Sequence, residues 1–249
     1  MTLQRTLSPR DIAILQLLNK TPATTDLILK ASVTFPDEPF RDARRVREKL
    51  QTLVESNLVR AFPATQGVGG PVNWYKLTKD GFLVLHGSDR TLPHRSRFEA
   101  ISPSRFAHTA TTAEIIVHTL VAAHMHRIET TRFHSDGELV LESGEARQIP
   151  DCHFGFECAG RFFNVLFEID NSTEPLNSVR LQSIRSKLQG YEAYQDSIWH
   201  GWKQAGEQGS RPYFRVIFLT KFVERALHIL WCQEAPKPSH RKALQNQPL

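Results

Sequence analysis

The sequence predicts a mixed α/β protein with two domains. Its 249 residues suffice for one large domain or two small ones, each with its own core. Apolar residues recur at helical spacing through residues 9–56, whereas the alternating run at 161–170 and the continuous run at 213–220 are typical of strands. Residues 86–106 have no apolar period and contain prolines, serines and arginines, as linkers do.

The composition is ordinary for a soluble globular protein, with 40% hydrophobic and 23% charged residues. No apolar run approaches the roughly 18 residues of a membrane span, and the N-terminus lacks the apolar region of a signal peptide. The three cysteines form no C-x-x-C pair, and the eleven histidines show no recognised zinc spacing. We therefore expect a cytoplasmic protein without a membrane partner.

The basic charge lies mainly in the N-terminal third. The net charge is +5, and residues 1–90, with 13 Lys and Arg against 9 Asp and Glu, supply +4 of it. Such a charge permits a polyanion partner and indicates where it would bind.

Three helices are predicted in this N-terminal third. Ser8 is a suitable N-cap, and Pro9 fits the first helical position after it. Thr24 or Thr25 caps a second, short helix, and a third extends over about residues 41–56.

A β-hairpin follows the helices. Its strands are predicted at 58–62 and 72–77, joined by a glycine-rich turn, and a short helix follows at 79–85. Three helices and a hairpin predict a winged helix, in which the third helix enters the DNA major groove.

The third helix is strongly basic at its start, with the residues Arg41, Arg44, Arg45, Arg47 and Lys49. Side chains of this type bind phosphates and base edges, so they predict binding to double-stranded DNA. The alternatives are that they form an ordinary solvated helix face, or that the winged helix binds another protein.

The C-terminal part is predicted to alternate helices and strands. A helix capped by Thr111 or the threonine after it carries Glu114 in its first turn, where the helix dipole favours an acid. A strand near 131–134 and a polar loop through Gly137 and Gly144 follow. The remaining predicted elements are a strand pair within 149–170, a helix at 177–199, a strand at 213–220 and a helix at 222–232.

The strand pair carries three acidic residues. Alternation along the second strand places Glu168 and Asp170 on one face, and a turn at Ala159-Gly160 brings Asp151 beside them. Three carboxylates repel each other unless a cation lies among them, and oxygen ligands suit Mg²⁺. The alternative is that these residues end their strands in solvent.

The long helix carries Lys187 at the edge of its apolar stripe, on the side of Tyr191 and Tyr194. A lysine in this position extends either towards the carboxylates or into water.

The chain contains, in order, the segments LSPRDIAILQLL, LVESNLVR, YKLTKDGFLVL, IPD, FEIDNSTEPL, KLQGYEAY and VIFLT. Over residues 7–230 it thereby resembles the bacterial replication-relaxation family of plasmid and mobile-element proteins. The element order is similar to the PD-(D/E)XK nuclease-like fold. The resemblance implies a DNA-binding winged helix and a restriction-endonuclease-like α-β-β-β-α-β domain, acting in plasmid replication and DNA relaxation.

This resemblance also implies the domain boundaries. The winged helix would span residues 1–86, a basic linker 87–106, and the PD-(D/E)XK nuclease-like domain 107–233, before a disordered tail at 234–249.

In nucleases of this type two carboxylates and a backbone carbonyl hold Mg²⁺ or Mn²⁺. The resemblance assigns these roles to Asp151, Glu168 and the carbonyl of Ile169, with Glu114 as a further carboxylate. The expected function is a metal-dependent DNA endonuclease or nickase.

The chain departs from the usual nuclease motif at one position, because Asp170 stands where that motif has lysine. Lys187 on the following helix is the residue that would substitute for it. If it does not, the chain is a catalytically inactive replication or transcription accessory factor. A third alternative is a docking subunit that binds replication or transfer proteins, and winged helices commonly act as homodimers.

Overall fold

The computed structural model describes residues 6–65, 71–144, 146–171, 176, 183–206 and 213–234. Three predicted features lie outside the described residues: the glycines of the wing turn, residues 177–182 of the predicted long helix, and the predicted disordered tail after residue 234.

Three helices open the chain: α1 (Pro9–Lys20), α2 (Thr25–Ala31) and α3 (Ala43–Glu55). The side chains of Ser8 and Thr24 each accept a backbone N–H from the first turn of α1 and α2, as predicted. Asp42 caps α3 in the same way, so Arg41 precedes the helix instead of beginning it.

A small sheet completes this part. Its strands β1 (Ala23–Thr24), β2 (Val59–Thr65) and β3 (Pro71–Leu77) have the order β1-β3-β2, and α4 (Lys79–His86) follows. Ile14, Ile28, Val46, Leu50 and Leu53 are fully or almost fully buried in its core. This arrangement confirms the predicted winged helix.

Gly81 lies where α4 crosses the end of the hairpin. A Cβ at this position would lie 2.1 Å from the carbonyl oxygen of Leu58, which is backbone and cannot rotate away. We therefore predict that Gly81→Ala lowers the free energy of unfolding by about 1–3 kcal/mol, as overpacking does. Chemical denaturation measures this, with Gly201→Ala as the control because a Cβ at Gly201 meets no atom within 4 Å. Equal stability of the two variants would contradict the prediction.

The second part begins with α5 (Pro103–Met125), eight residues before the predicted start at Thr111. Pro103 occupies the first helical position after the N-cap residue Ser102, so a proline that suggested a linker in fact begins the helix. Glu114 consequently lies in the middle of α5 and not in its first turn, so the dipole explanation for it is wrong.

The main sheet consists of β4 (Glu129–Ser135), β7 (Cys152–Cys158), β8 (Arg161–Asp170) and β9 (Arg215–Thr220), in the order β4-β7-β8-β9. The pairs β4–β7 and β7–β8 are antiparallel and β8–β9 is parallel. Ala159 and Gly160 form the predicted β7–β8 turn, and both have positive φ, of 50° and 71°. The predicted polar loop contains a short hairpin of β5 (Leu141–Ser143) and β6 (Ala146–Gln148).

Helices cover both faces of the main sheet. Ile116 of α5 packs with Phe154 and Phe167 on one face. On the other face, α6 (Ile184–Gln204) packs its Tyr191 against Leu166, and α7 (Val223–Glu234) lies beside α6. The order α5-β4-β7-β8-α6-β9 confirms the predicted α-β-β-β-α-β fold class. No helix among the described residues is long and apolar enough to span a bilayer.

The segment between α4 and α5 is packed against both parts of the chain. Arg97 binds the carbonyl of Asn19 in the winged helix and the carboxylate of Glu138 after β4. Helix α5 also contributes to both cores, because Val117 packs into the winged-helix core and its neighbour Ile116 into that of the main sheet. The winged helix and the main sheet are therefore in direct contact through α5.

Candidate active site

Asp151 lies immediately before β7. Its backbone N–H donates to the carbonyl of Phe167 at 3.0 Å, and its Oδ2 accepts the N–H of Ile169 at 2.6 Å. These bonds hold the carboxylate against the end of β8. The side chain is only 14% exposed.

Glu168 projects from β8 towards α6 and is 2% exposed. Its Oε2 lies 2.8 Å from the Nζ of Lys187, and its Oε1 accepts the hydroxyl hydrogen bond of Tyr191. Burial raises the pKa of Glu168, which Lys187 opposes and the nearby carboxylate of Asp151 reinforces. Lys187 thus extends towards the carboxylates and not into water, which settles the two orientations that the sequence left open.

Asp170 lies on the same face of β8 as Glu168, as the alternation predicted, but its carboxylate has another partner. Arg225 of α7 binds it through two hydrogen bonds, Nε to Oδ2 at 2.6 Å and Nη2 to Oδ1 at 3.2 Å. The expected meeting of three carboxylates therefore reduces to Asp151 and Glu168. Asp170 therefore links β8 to α7.

Glu114 does not reach these carboxylates. It is exposed on α5, about 120° around the helix from His108, which does face the site. The Nε2 of His108 lies 2.9 Å from Oδ1 of Asp151, and this hydrogen bond raises the pKa of His108. His108 was not among the site residues predicted from the sequence. Its only sequence signal is the four-residue spacing to Thr112 and Ile116, which lie on the same side of α5.

A cavity of about 550 Å³ lies beside Asp151 and His108, and we call it the site cavity; Glu168 is not among its lining residues. Asp151, His108 and Lys187 line it together with the basic side chains of Arg105 and Arg147. Both arginines are more than 60% exposed. The cavity therefore places carboxylates and a lysine beside cations that can bind a phosphate.

A family model described as replication-relaxation matches residues 15–207, more than three quarters of the chain. The chain belongs to the replication-relaxation family. The matched residues include Asp151, Glu168 and Lys187, whereas Arg225 lies beyond them. The family predicted from the sequence motifs is confirmed.

Two solved structures show limited likeness to this replication-relaxation protein. A PadR family transcription regulator from hypervirulent Clostridium difficile R20291 is 25% identical, over 32% of this chain and 81% of its own, with a TM-score of 0.28. Bacillus subtilis PadR in complex with operator DNA is 16% identical, over 49% of this chain and 72% of its own, with a TM-score of 0.29. Such low TM-scores support no inference about this chain. No curated protein matches it.

The basic residues predicted to bind DNA differ in their surroundings in this replication-relaxation chain. Arg41 and Arg47 are exposed, and so are Arg44 and Arg45, which both contact Glu48 at 3.0 and 3.2 Å. The ammonium of Lys49 instead lies 2.9 Å from Asp11, whose side chain is 7% exposed. Lys49 therefore ties α3 to α1, and the arginines form the accessible basic surface of α3.

No three His, Cys, Asp or Glu side chains are grouped for metal binding within the part of the chain that the structure describes. Oxygen ligands are nonetheless available here, because the charge of Asp151 acts on Glu168 and Asn171, which follows β8, lines the site cavity together with Asp151. The Oδ1 of Asn171 is buried and has no hydrogen-bond partner among the described residues. Two carboxylates and this amide oxygen are ligands of the type that a hard cation such as Mg²⁺ prefers, although all four carboxylate oxygens accept bonds from protein donors.

Proposed function

We propose that this replication-relaxation protein binds double-stranded DNA through its winged helix and cuts one DNA strand at the site cavity. It would act in plasmid or mobile-element replication or in DNA relaxation. The observation that carries the proposal is the 2.8 Å contact between Lys187 and Glu168, beside Asp151. In this proposal Lys187 takes the role of the lysine that the PD-(D/E)XK nuclease motif has at the position of Asp170.

Asp151, Glu168 and the carbonyl of Ile169 would hold Mg²⁺ or Mn²⁺, and the buried Oδ1 of Asn171 is a further candidate ligand. When bound, the ion supplies electrophilic stabilisation of the phosphate and of the departing 3′ oxygen. Glu114 has no part in this proposal, because it is exposed away from the cavity.

The side chains that line the site cavity, and those that hold them in place, have distinct roles in the proposed hydrolysis. Lys187 orients the attacking water and relays a proton: its ammonium gives one to the departing 3′ oxygen and takes up the one that the water loses. The water oxygen bonds to phosphorus, the bond between phosphorus and the 3′ oxygen breaks, and that oxygen takes up a proton. Tyr191 holds Glu168 in place, and Arg105 and Arg147 bind the non-bridging phosphate oxygens.

The arginines of α3 would neutralise DNA phosphates, so DNA affinity should fall steeply with salt. We predict that Arg47→Ala weakens duplex binding several-fold and reduces the slope of log affinity against log salt by about 1. Lys49→Met is the matched comparison, because Lys49 binds the buried Asp11 instead of facing solvent. It should retain DNA affinity but lower the free energy of unfolding by about 1–3 kcal/mol. Fluorescence anisotropy and chemical denaturation measure the two effects, and the reverse pattern would contradict this division of roles.

Relaxation of a supercoiled plasmid tests the proposed activity. The purified full chain should convert supercoiled DNA to open circles with Mg²⁺ or Mn²⁺, and a chelator should stop the conversion. Binding of the plasmid without conversion, at any concentration of either ion, would contradict the proposal.

That contrary result is the outcome expected for a second candidate function, a non-catalytic DNA-binding accessory factor. It is favoured by the hydrogen bonds in the site: both oxygens of Asp151 and both oxygens of Glu168 already accept bonds from protein donors. The relaxation assay separates the two functions, since only the nickase changes DNA topology.

Replication or transfer proteins and a second copy of the chain are further proposed partners. A homodimer would suit a two-fold DNA site, as winged-helix proteins commonly bind such sites.

A further inference from the structure

A second cavity, of about 330 Å³, lies at the junction of the winged helix and the main sheet. We call it the junction cavity. The end of α1, strand β3, the segment before α5 and α5 itself contribute to its wall. It shares Arg105, His108 and Asp136 with the site cavity but does not contain Asp151 or Lys187.

Lys76 of β3 is a buried lysine in this wall, only 8% exposed. Its Nζ donates to two backbone carbonyls, those of Ser96 at 2.8 Å and Glu99 at 2.7 Å. Burial lowers the pKa of Lys76 to about 8, and the charge of Arg97 contributes. An ammonium has three N–H donors, so one further donor is available beyond these two carbonyls.

Lys20 adds a second ammonium from the end of α1. It lies over the ring of Phe133 at 5.0 Å, and burial lowers its pKa too. The acidic side chains nearby already have basic partners: Asp136 binds Arg105 at 2.6 Å, Glu138 binds Arg97, and Glu99 lies 3.7 Å from Arg95. None of the described ion pairs includes Lys20 or Lys76, although the charge of Glu138 raises the pKa of Lys20 and that of Glu99 raises the pKa of Lys76, each against the larger effect of burial.

The rest of the wall is partly apolar, with Leu18, Ile101 and Ile116 among its residues. A ligand that fits both regions carries a negative charge at one end and an apolar or aromatic body at the other. The volume lies at the small end of the range of ligand pockets and is far too small for a DNA duplex. We propose that the junction cavity binds a small phosphate-bearing molecule such as a mononucleotide, with its phosphate on Lys76 and Lys20 and its body against Leu18, Ile101 and Ile116.

Isothermal titration calorimetry on the full chain tests this proposal, with adenosine 5′-monophosphate as the probe and adenosine as the control without phosphate. The nucleotide should bind at least about tenfold more tightly than adenosine, because charge-assisted hydrogen bonds hold only the nucleotide. Lys76→Met should weaken nucleotide binding at least about tenfold. Lys79→Met, at an exposed position three residues later, should leave it unchanged.

Lys76 also supports the segment before α5, so Lys20→Met serves as a second variant on another element, and circular dichroism confirms that each variant is folded. No nucleotide binding by the wild type, equal binding of adenosine, or unchanged binding in both folded lysine variants would overturn the proposal. A loss of duplex affinity in these variants, without nucleotide binding by the wild type, would assign the lysines to DNA and overturn it as well. Plasmid relaxation is measured separately, so that a failure of the proposed cleavage is distinguishable from a failure of this site.

Discussion

Asp151→Asn and Glu168→Gln should each reduce Mg²⁺-dependent nicking on the order of 100-fold or more, because each removes a carboxylate that would hold the cation in the proposed mechanism. Duplex affinity should remain within about twofold of wild type, since we propose that most DNA contacts are made by α3 and none by these two carboxylates. The rate of conversion of supercoiled plasmid to open circles and fluorescence anisotropy measure the two quantities. Glu129→Gln is the control, because Glu129 is exposed on β4 of the same sheet.

Lys187→Met tests activation of the attacking water separately from binding of the cation. It should lower the nicking rate by about 10²–10⁴, the range for loss of a general acid or base. Mn²⁺ binding, measured by calorimetry, should persist in Lys187→Met and be lost in Glu168→Gln. Unfolding curves show whether each variant is folded, so that lost nicking is not mistaken for lost folding. Wild-type nicking rates in both carboxylate variants would reject the assignment of the site.

Local signals in the sequence were sufficient to predict most of the fold. Ser8 and Thr24 are visible as helix caps because the interaction spans only three residues, and the Ala159-Gly160 turn is visible because it requires positive φ. Alternation along β8 placed Glu168 and Asp170 correctly on one face for the same reason. Such features depend on residues that are close in sequence.

The parts of the site that were not predictable depend on contacts between distant elements. Asp170 and Arg225 are 55 residues apart, and nothing near either residue shows that α7 supplies the partner. His108 lies between the predicted linker at 87–106 and the predicted helix start at Thr111, so no predicted element placed it near Asp151. For Lys187, helix periodicity gave the side of the helix but left the choice between carboxylate and solvent open. Packing of α6 on β8 decides that choice.

The second large effect that we expect is on stability, and it arises from the buried Asp170–Arg225 pair. The Asp170 side chain is 2% exposed and that of Arg225 is 13% exposed. Replacing one partner of a buried ion pair leaves the other charge less well compensated, so Arg225→Met should lower the free energy of unfolding by about 3–5 kcal/mol. Chemical denaturation measures this loss. Arg215→Met, at an exposed position on β9, should change stability by less than about 0.5 kcal/mol.

Removing both partners should restore most of that loss, because a buried ion pair is often replaceable by apolar residues of similar volume. The double variant Asp170→Leu with Arg225→Met should therefore be clearly more stable than Arg225→Met alone. If Asp170 only joins β8 to α7, the double variant should also retain Mg²⁺-dependent nicking and duplex binding. A stable double variant without nicking would instead place Asp170 in the chemistry beside Glu168, because its loss would then remove a carboxylate that the reaction needs.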